Sequence, residues 1–204
     1  MRADIIVYDG VDELDAIGPL EVLRSAALAG ADVSARLVTR APQEIVTGSH
    51  GLRLIPDGVF AAGEADVILV AGGGWIARSE AGAWGEVVRG EWPRLLAGAA
   101  AEAQTIASVC TGTMLLAHAG VIGNRRATTH HAAWDDLAAT GATLVKDRVV
   151  DDGDLVTSGG VTSGIDLALW LVEREFGAEL AERLATRLEY PRARPRASRA
   201  AKRP

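Results

Sequence analysis

Short runs of β-branched residues alternate with longer helical patterns along this 204-residue chain. The run Val-Ile-Leu-Val at residues 67–70 is apolar at every position, so both of its faces are expected to be buried. Such alternation is typical of an α/β protein whose mainly parallel sheet is covered by helices. A chain of this length commonly forms a single domain. The sequence therefore predicts one α/β domain.

The predicted strands and helices follow this alternation. Strands are expected at Asp4–Tyr8, Val33–Thr39, Asp66–Val70, Thr105–Val109, Thr143–Val150 and Asp154–Thr157, with a short antiparallel excursion over Ile45–Ile55. Helices are expected at Pro19–Leu28, Ala83–Ala103 with a break near Pro93, Gly112–Ala119, Ala132–Ala139, Ser163–Phe176 and Ala178–Leu188. Pro19 suits the first turn of a helix, where its missing N–H costs nothing.

The composition is that of a globular protein, with 49% hydrophobic and 24% charged residues. No stretch approaches the roughly 18 apolar residues of a membrane helix, and the first residues lack the apolar core of a signal peptide. The single cysteine cannot form an intramolecular disulfide, which is compatible with a reducing compartment. We therefore expect a cytoplasmic protein without a membrane partner.

Charge is distributed unevenly, because six basic residues and no acidic residue fall within residues 192–204, while the whole chain has a formal charge of −6. The body of the protein is therefore acidic and poorly suited to binding phosphate backbones. We expect a domain over residues 1–190, followed by a basic, disordered tail over residues 191–204. A nucleic-acid partner is not expected.

The reactive crevice of an open parallel sheet lies beyond the carboxyl ends of its strands. Four loops qualify by this rule, at residues 9–18, 72–75, 110–113 and 158–163. Candidate functional residues are therefore sought in these loops.

Cys110 lies between the predicted strand Thr105–Val109 and a predicted helix. Unpaired N–H groups and the helix dipole at such a position favour an anion, so the thiol pKa is expected to be lowered and the thiol to act as a nucleophile. A lone cysteine in a core is also commonly buried and inert. The residues alone do not separate these two interpretations.

Three further features border the same crevice. The amides of Gly72, Gly73 and Gly74 could bind developing negative charge, although these glycines could equally serve a tight turn. Asp15 could transfer protons in the crevice, or it could cap the following helix. His130 and His131 could orient the thiol, but adjacent histidines are expected to point in different directions, so at most one would serve.

No group of residues has zinc-ligand spacing, so neither a metal nor another cofactor is expected.

Five motifs together identify a family resemblance over residues 3–191. They are Leu-Asp-Ala-Ile-Gly-Pro-Leu-Glu-Val-Leu at 14–23, Ala-Gly-Gly-Gly at 71–74, Ser-Val-Cys-Thr-Gly-Thr at 108–113, Arg-Ala-Thr-Thr-His at 126–130 and Val-Thr-Ser-Gly-Gly-Val-Thr-Ser-Gly-Ile-Asp-Leu-Ala-Leu at 156–169. The sequence resembles the ThiJ/PfpI superfamily of class I glutamine amidotransferase-like proteins. This resemblance implies a flavodoxin-like three-layer sandwich, a homodimer, and Cys110 on a strained nucleophile elbow.

The carboxylate near the nucleophile distinguishes the branches of that superfamily. Many members place a glutamate there, whereas Asp15 is similar to the aspartate of the isonitrile hydratases. The resemblance therefore implies a lyase that hydrates a small isonitrile, with catalytic roles for Cys110, Thr111 and Asp15. The implied oxyanion and substrate-binding residues are Gly72, Gly73, Gly74, Ile17 and His130.

Two other functional classes stay open at this point. One is a ligand- or redox-sensing domain, because the amino-terminal domains of AraC-like regulators carry similar motifs. The other is a cysteine hydrolase of the glyoxalase or amidase type, which Asp15 argues against.

Overall fold

The computed structural model describes residues 1–195, and the rest of the predicted basic tail lies outside the described residues. The strands are β1 Arg2–Ile6, β2 Ser34–Thr39, β3 Val46–Thr47, β4 Arg53–Leu54, β5 Gly58–Val59, β6 Val67–Val70, β7 Thr105–Val109, β8 Arg126–Ala127, β9 Thr143–Leu144, β10 Val149–Asp152 and β11 Leu155–Ser158. The helices are α1 Glu13–Leu28, α2 Ala83–Arg89, α3 Glu91–Ala99, α4 Gly112–His118, α5 Trp134–Ala139, α6 Ser163–Phe176 and α7 Ala178–Arg187, with a 3₁₀ turn at His131–Ala133.

A seven-stranded sheet with the order β10-β11-β7-β6-β1-β2-β5 forms the centre of the fold. Six of these strands run parallel, and β10 pairs antiparallel with β11. Every residue of β6 and β7 is buried, as expected for strands that are covered on both faces. The predicted α/β class with a mainly parallel sheet is confirmed.

Helices cover the two faces of this sheet in two groups. Helices α1, α6 and α7 contact one another, and α2, α3 and α4 form the second group. Their core-facing residues, such as Leu23 on α1 and Leu96 on α3, are fully buried. The result is a three-layer sandwich, and it brings the amino ends of α1 and α4 to the carboxyl edge of the sheet, where β1 and β7 end.

Helix α1 begins earlier than the sequence predicts. The Asp12 side chain caps the helix by accepting a hydrogen bond from the backbone N–H of Leu14 at 3.3 Å, so Glu13 is the first helical residue and not Pro19. Pro19 therefore lies inside the helix, where it cannot donate to the carbonyl of Asp15. Asp15 is thus a first-turn residue of α1, and the capping role belongs to Asp12.

Other predicted boundaries are also wrong. The helical stretch 83–103 breaks at Gly90, which adopts a left-handed φ of 73°, and Pro93 fits within the first turn of α3. The predicted strand Thr143–Val150 is two strands, since β9 pairs with β8 in a separate small sheet while β10 pairs with β11. The antiparallel excursion at Ile45–Ile55 is confirmed by the pairing of β3 with β4. The short edge strand β5 is not predicted at all.

The described part of the basic tail lies against the domain. Arg192 and Arg194 form ion pairs with Glu173 on α6 and Glu182 on α7. The Arg192 side chain is only 6% exposed. Disorder of the tail as a whole stays a prediction. None of the helices within residues 1–195 is long and apolar enough to cross a membrane.

Candidate active site

Cys110 occupies a sharp turn between β7 and α4. Its φ of 55° is unusual for a residue that is not glycine. The turn is held by hydrogen bonds, because the Cys110 N–H donates to the carbonyl oxygens of Ser158 at 3.1 Å and Gly159 at 3.0 Å, while its own carbonyl accepts from the Thr129 hydroxyl at 2.8 Å. Gly112 is required beside the turn, since a Cβ there would lie 2.1 Å from the Val70 carbonyl oxygen. The strained elbow is therefore built into the backbone.

The Cys110 thiol lies in a nearly closed site, because the residue is only 6% exposed. Burial raises the pKa of the thiol well above its ordinary value, and the negative charge of Asp15 raises it further. Hydrogen bonds from the backbone N–H groups of Thr111 and Val161 act in the opposite direction. The expected lowering of this pKa is therefore wrong for the free protein, because desolvation and the nearby carboxylate outweigh the N–H groups.

Val161 contributes to the site in a way that the sequence analysis missed. Its φ of 44° places a β-branched residue in the left-handed region, and this conformation lets its N–H face the thiol. In the sequence, only the position of residues 158–163 after a predicted strand indicated this role, because a valine side chain has no functional group. The site thus takes an N–H donor from a third loop.

Asp15 is fully buried beside the thiol. Its Oδ2 accepts a hydrogen bond from the backbone N–H of Gly72 at 3.1 Å, while Oδ1 has no partner among residues 1–195. Burial raises the pKa of Asp15 well above its ordinary value, and the charge of Asp12 raises it further. A hydrogen bond from the Cys110 thiol lowers the pKa of Asp15, whereas the charge of Asp15 raises the pKa of the thiol. Ionisation of Asp15 therefore disfavours ionisation of Cys110, and the pair does not readily hold two negative charges.

The glycine loop after β6 is held by hydrogen bonds from two directions. The Gly73 N–H donates to the Thr111 hydroxyl oxygen at 2.9 Å, and the Gly72 carbonyl oxygen accepts from the Asp12 N–H at 2.9 Å. The N–H groups of Gly72 and Gly73 are therefore already hydrogen-bonded, to Asp15 and to Thr111. To bind an oxyanion, the Gly73 N–H would have to give up the Thr111 hydroxyl, and the oxyanion role of Gly73 stays a prediction. Gly74 turns toward residues 79–82, since its carbonyl oxygen accepts from the Ser79 N–H at 3.0 Å.

A cavity of about 390 Å³ lies on the His130 side of the elbow, and its walls include Thr129, Trp134 and Val161. The imidazole of His130 packs against Gly160, where an added Cβ would lie 2.2 Å from its Cδ2 atom. Burial and the neighbouring His131 lower the pKa of His130, which favours a neutral ring. The two histidine rings have centroids 4.2 Å apart, so the expectation that they point in different directions is wrong.

Ile17 belongs to α1 and is half-buried. Residues two apart on a helix do not share a face, so Ile17 and Asp15 point in different directions. A place for Ile17 in the substrate pocket therefore stays a prediction.

One further cluster of potential ligands lies near the amino end of α1. Within residues 1–195, the ligand atoms of Asp12, Glu13 and His50 lie within 4.8 Å of one another. Glu13 already accepts hydrogen bonds from the His50 ring at 2.7 Å and from the backbone N–H of His50 at 2.8 Å. These contacts account for the cluster as a clamp between α1 and the β3–β4 hairpin, and the absence of a metal stays a prediction.

The arrangement brings together a buried thiol, a buried carboxyl group and backbone N–H donors from two loops. When one of the two groups is ionised and the other is protonated, the sulfur can add to an electrophilic carbon while a proton moves to or from the substrate. The closed surroundings strengthen each of these interactions by excluding water. The geometry of Cys110, Asp15 and Thr111 is thus suited to cysteine-dependent addition chemistry.

Comparisons with known proteins agree on the kind of domain. The family model of the DJ-1/PfpI family matches residues 1–174. An isonitrile hydratase of Pseudomonas putida is 38% identical over 197 residues, which cover 96% of this chain and 81% of that protein. The Parkinson disease protein 7 homolog of Danio rerio is 32% identical over 188 residues, which cover 88% of this chain and 92% of that protein. A solved structure of a ThiJ/PfpI family protein from Pseudomonas syringae matches with a TM-score of 0.83 at 26% identity. The matched region covers 98% of this chain and 78% of the chain from Pseudomonas syringae.

Proposed function

The chain belongs to the DJ-1/PfpI family, and from that premise we propose that it is a cysteine-dependent isonitrile hydratase with a catalytic domain over residues 1–190. Such an enzyme adds water to an isonitrile and releases an N-substituted formamide. The observation that carries the proposal is a buried aspartate, Asp15, beside the elbow cysteine Cys110, in a chain that is 38% identical to an isonitrile hydratase.

In the first step, the sulfur of Cys110 attacks the terminal isonitrile carbon. A new S–C bond forms while Asp15, as the carboxylic acid, delivers its proton to the same carbon. The product is a thioimidate, R–N=CH–S–Cys110, and Asp15 is left as a carboxylate. The thiol proton passes to Asp15 as the substrate binds, and the raised pKa of Asp15 suits this transfer, because burial favours the neutral carboxylic acid.

In the second step, water adds to the thioimidate carbon. The Asp15 carboxylate takes one proton from the water and passes it to the substrate nitrogen, and the hydroxyl group stays on carbon. The tetrahedral adduct then loses its hydroxyl proton to Asp15 as the C–S bond breaks. This returns the Cys110 thiolate and the Asp15 acid, and it releases R–NH–CHO with one water consumed.

Backbone and side-chain donors support these steps. The N–H groups of Thr111 and Val161 stabilise negative charge on the sulfur when the C–S bond forms or breaks. The Thr111 hydroxyl fixes the glycine loop through the Gly73 N–H. We place the organic group of the isonitrile in the cavity beside His130.

The proposal is tested by incubating the purified protein with a panel of alkyl and aryl isonitriles and quantifying formamide by NMR. Cys110→Ala and Asp15→Asn are expected to abolish formamide formation while keeping the circular dichroism spectrum of the wild type. Glu179→Gln, a change at an exposed position on α7, serves as the matched control and is expected to retain activity. A wild-type protein that converts none of the panel would rule the function out. Rapid thiol alkylation without turnover would instead favour a sensor, and methylglyoxal consumption a glyoxalase-type enzyme.

We also propose that the protein forms a homodimer, as the family resemblance implies. Helix α1 and the hairpin region expose apolar side chains, since Leu14 is 38%, Leu52 is 47% and Ile55 is 78% exposed. A second copy covering these side chains would border the active site, because Leu14 is next to Asp15 in the chain. Sedimentation of wild type and Ile55→Glu tests this, with a shift of the variant toward monomer expected.

A further inference from the structure

Tyr8 and Asp15 hold the two ends of one peptide unit. The carbonyl oxygen of Ala71 accepts a hydrogen bond from the Tyr8 hydroxyl at 2.6 Å, and the N–H of Gly72 in the same peptide donates to Oδ2 of Asp15 at 3.1 Å. Tyr8 is 3% exposed and Ala71 is fully buried, so water does not compete for this contact. A tyrosine that follows β1 is thereby connected to the carboxyl group on α1.

Hydrogen bonds at the two ends of a peptide strengthen each other. A donor on the carbonyl oxygen polarises the amide, so that its N–H becomes a better donor toward a second acceptor. The effect is larger in a site of low dielectric, and an ionised carboxylate gains more from it than a neutral carboxyl group does. The Tyr8 hydroxyl therefore favours the charged form of Asp15.

We propose that Tyr8 is a positioning residue, which acts through the Ala71–Gly72 peptide to stabilise ionised Asp15 and thereby keeps the proton of the pair on Cys110 in the free protein. This inference rests on the proposed function in one respect, namely that Asp15 is the proton-transfer group. Substrate binding would then be the event that draws the proton toward carbon.

The surroundings of Tyr8 keep its hydroxyl protonated and able to donate. Burial raises the pKa of Tyr8 well above its ordinary value, and the charges of Asp15, Glu86 and Cys110 raise it further. Glu86 is itself paired with Arg89 at 2.6 Å. The groups that act on Asp15 are Asp12 and Cys110. The ionised form of Asp15 is favoured by a hydrogen bond from the Cys110 thiol and, to a smaller extent, by the Gly72 N–H, and no cation among residues 1–195 adds to them.

The alkylation rate of Cys110 by iodoacetamide tests the inference without any isonitrile. Because the chain has one cysteine, the rate reports on this thiol alone. Tyr8→Phe removes the hydroxyl, so Asp15 should hold the proton more often and the thiolate should be more populated. We expect alkylation at neutral pH to accelerate about threefold to tenfold, because the thiolate population of Cys110 should rise by the same factor.

A second background separates positioning from simple loosening of the loop. In Asp15→Asn, Tyr8→Phe should cause no further acceleration, because the group through which it acts is gone. An acceleration of equal size in that background would overturn the inference, since it would report only a more exposed thiol. Thr39→Val is the matched control, because it removes another buried hydroxyl that donates to a backbone carbonyl, that of Ala41, at the end of β2. Its alkylation rate should equal that of the wild type.

A second variant decides the question if Tyr8→Phe does not fold. In 3-fluorotyrosine placed at position 8, the hydroxyl is more acidic and is a stronger donor, so alkylation should become slower than in the wild type. An unchanged or faster rate in this protein would overturn the inference. Failure of the isonitrile assay leaves these rates unaffected, so the two proposals can fail separately.

Discussion

The Thr111 hydroxyl oxygen accepts a hydrogen bond from the backbone N–H of Gly73 at 2.9 Å. This contact joins the residue after the elbow cysteine to the glycine loop after β6, and both partners are buried. The Thr111 hydroxyl group thus connects the elbow directly to the loop that supplies the Asp15 contact.

Removal of this hydroxyl group should slow catalysis. Thr111→Val preserves the side-chain shape but leaves the buried Gly73 N–H without an acceptor, so the loop should shift. We expect kcat for formamide formation to fall about 10- to 100-fold in Thr111→Val. Thr111→Ser keeps the oxygen and should retain most of the activity, and equal losses in both variants would contradict this role.

The left-handed conformation of Cys110 should reverse the usual ranking of alanine and glycine. An L residue at φ of 55° is strained by about 1–2 kcal/mol, whereas glycine is not. Relative to alanine, glycine lowers the free energy of unfolding by about 0.5–1 kcal/mol, because it makes the unfolded chain more flexible. Cys110→Gly should therefore be at least as stable as Cys110→Ala in urea unfolding. Ala107→Gly in β7 is the control and should be destabilised, and a similar loss at position 110 would argue against strain.

The clamp between Glu13 and His50 should make stability depend on pH. Burial alone would raise the pKa of Glu13, but hydrogen bonds from the His50 ring and from backbone N–H groups outweigh burial and lower it to about 2. Because the folded pKa is lower than the unfolded value of 4.5, this stabilisation is present above about pH 4.5 and is lost as the pH falls toward 2.

Glu13→Gln is expected to reduce the free energy of unfolding by about 1–2 kcal/mol at neutral pH, with solvent screening at the exposed His50 limiting the effect. Urea unfolding of both proteins at several pH values should show the difference shrinking in acid. Glu179→Gln on the exposed side of α7 should follow the wild type throughout. A difference that stays constant down to pH 3 would show that the ion pair is not its source.

The contact between Gly160 and His130 should shape the substrate pocket. In Gly160→Ala the new methyl group meets the imidazole, so the ring must move within the cavity. We expect kcat/KM to fall about tenfold while the alkylation rate of Cys110 stays unchanged. Gly98→Ala on α3 is the control, because a Cβ there meets no atom within 4 Å, and it should leave both quantities unchanged.

The sequence indicates those parts of the fold and site that depend on local pattern. The run Val67–Val70 and the apolar strand before Cys110 are uniform enough to predict buried strands, and the strands then place the loops at one edge. The start of α1 is missed because Pro19 resembles a first-turn residue, whereas tertiary packing tolerates it inside the helix. The sequence does not reveal that Asp12 is the cap.

The contacts within the site are less accessible from sequence. The thiol pKa is set by burial and by Asp15, which is 95 positions away in the chain, so the local helix start is a poor guide. Val161 acts through its backbone, and Tyr8 acts through the Ala71–Gly72 peptide after β6. Neither residue type signals such a role, because the effect depends on tertiary distances and not on side-chain chemistry alone.

The unpartnered Oδ1 of Asp15 has a consequence for the end of the catalytic cycle. An isonitrile carries no hydrogen-bond donor, but the formamide product carries an N–H group that can satisfy this buried oxygen. The site should therefore hold its product more tightly than its substrate. Turnover would then slow as formamide accumulates, and simple secondary amides should act as competitive inhibitors.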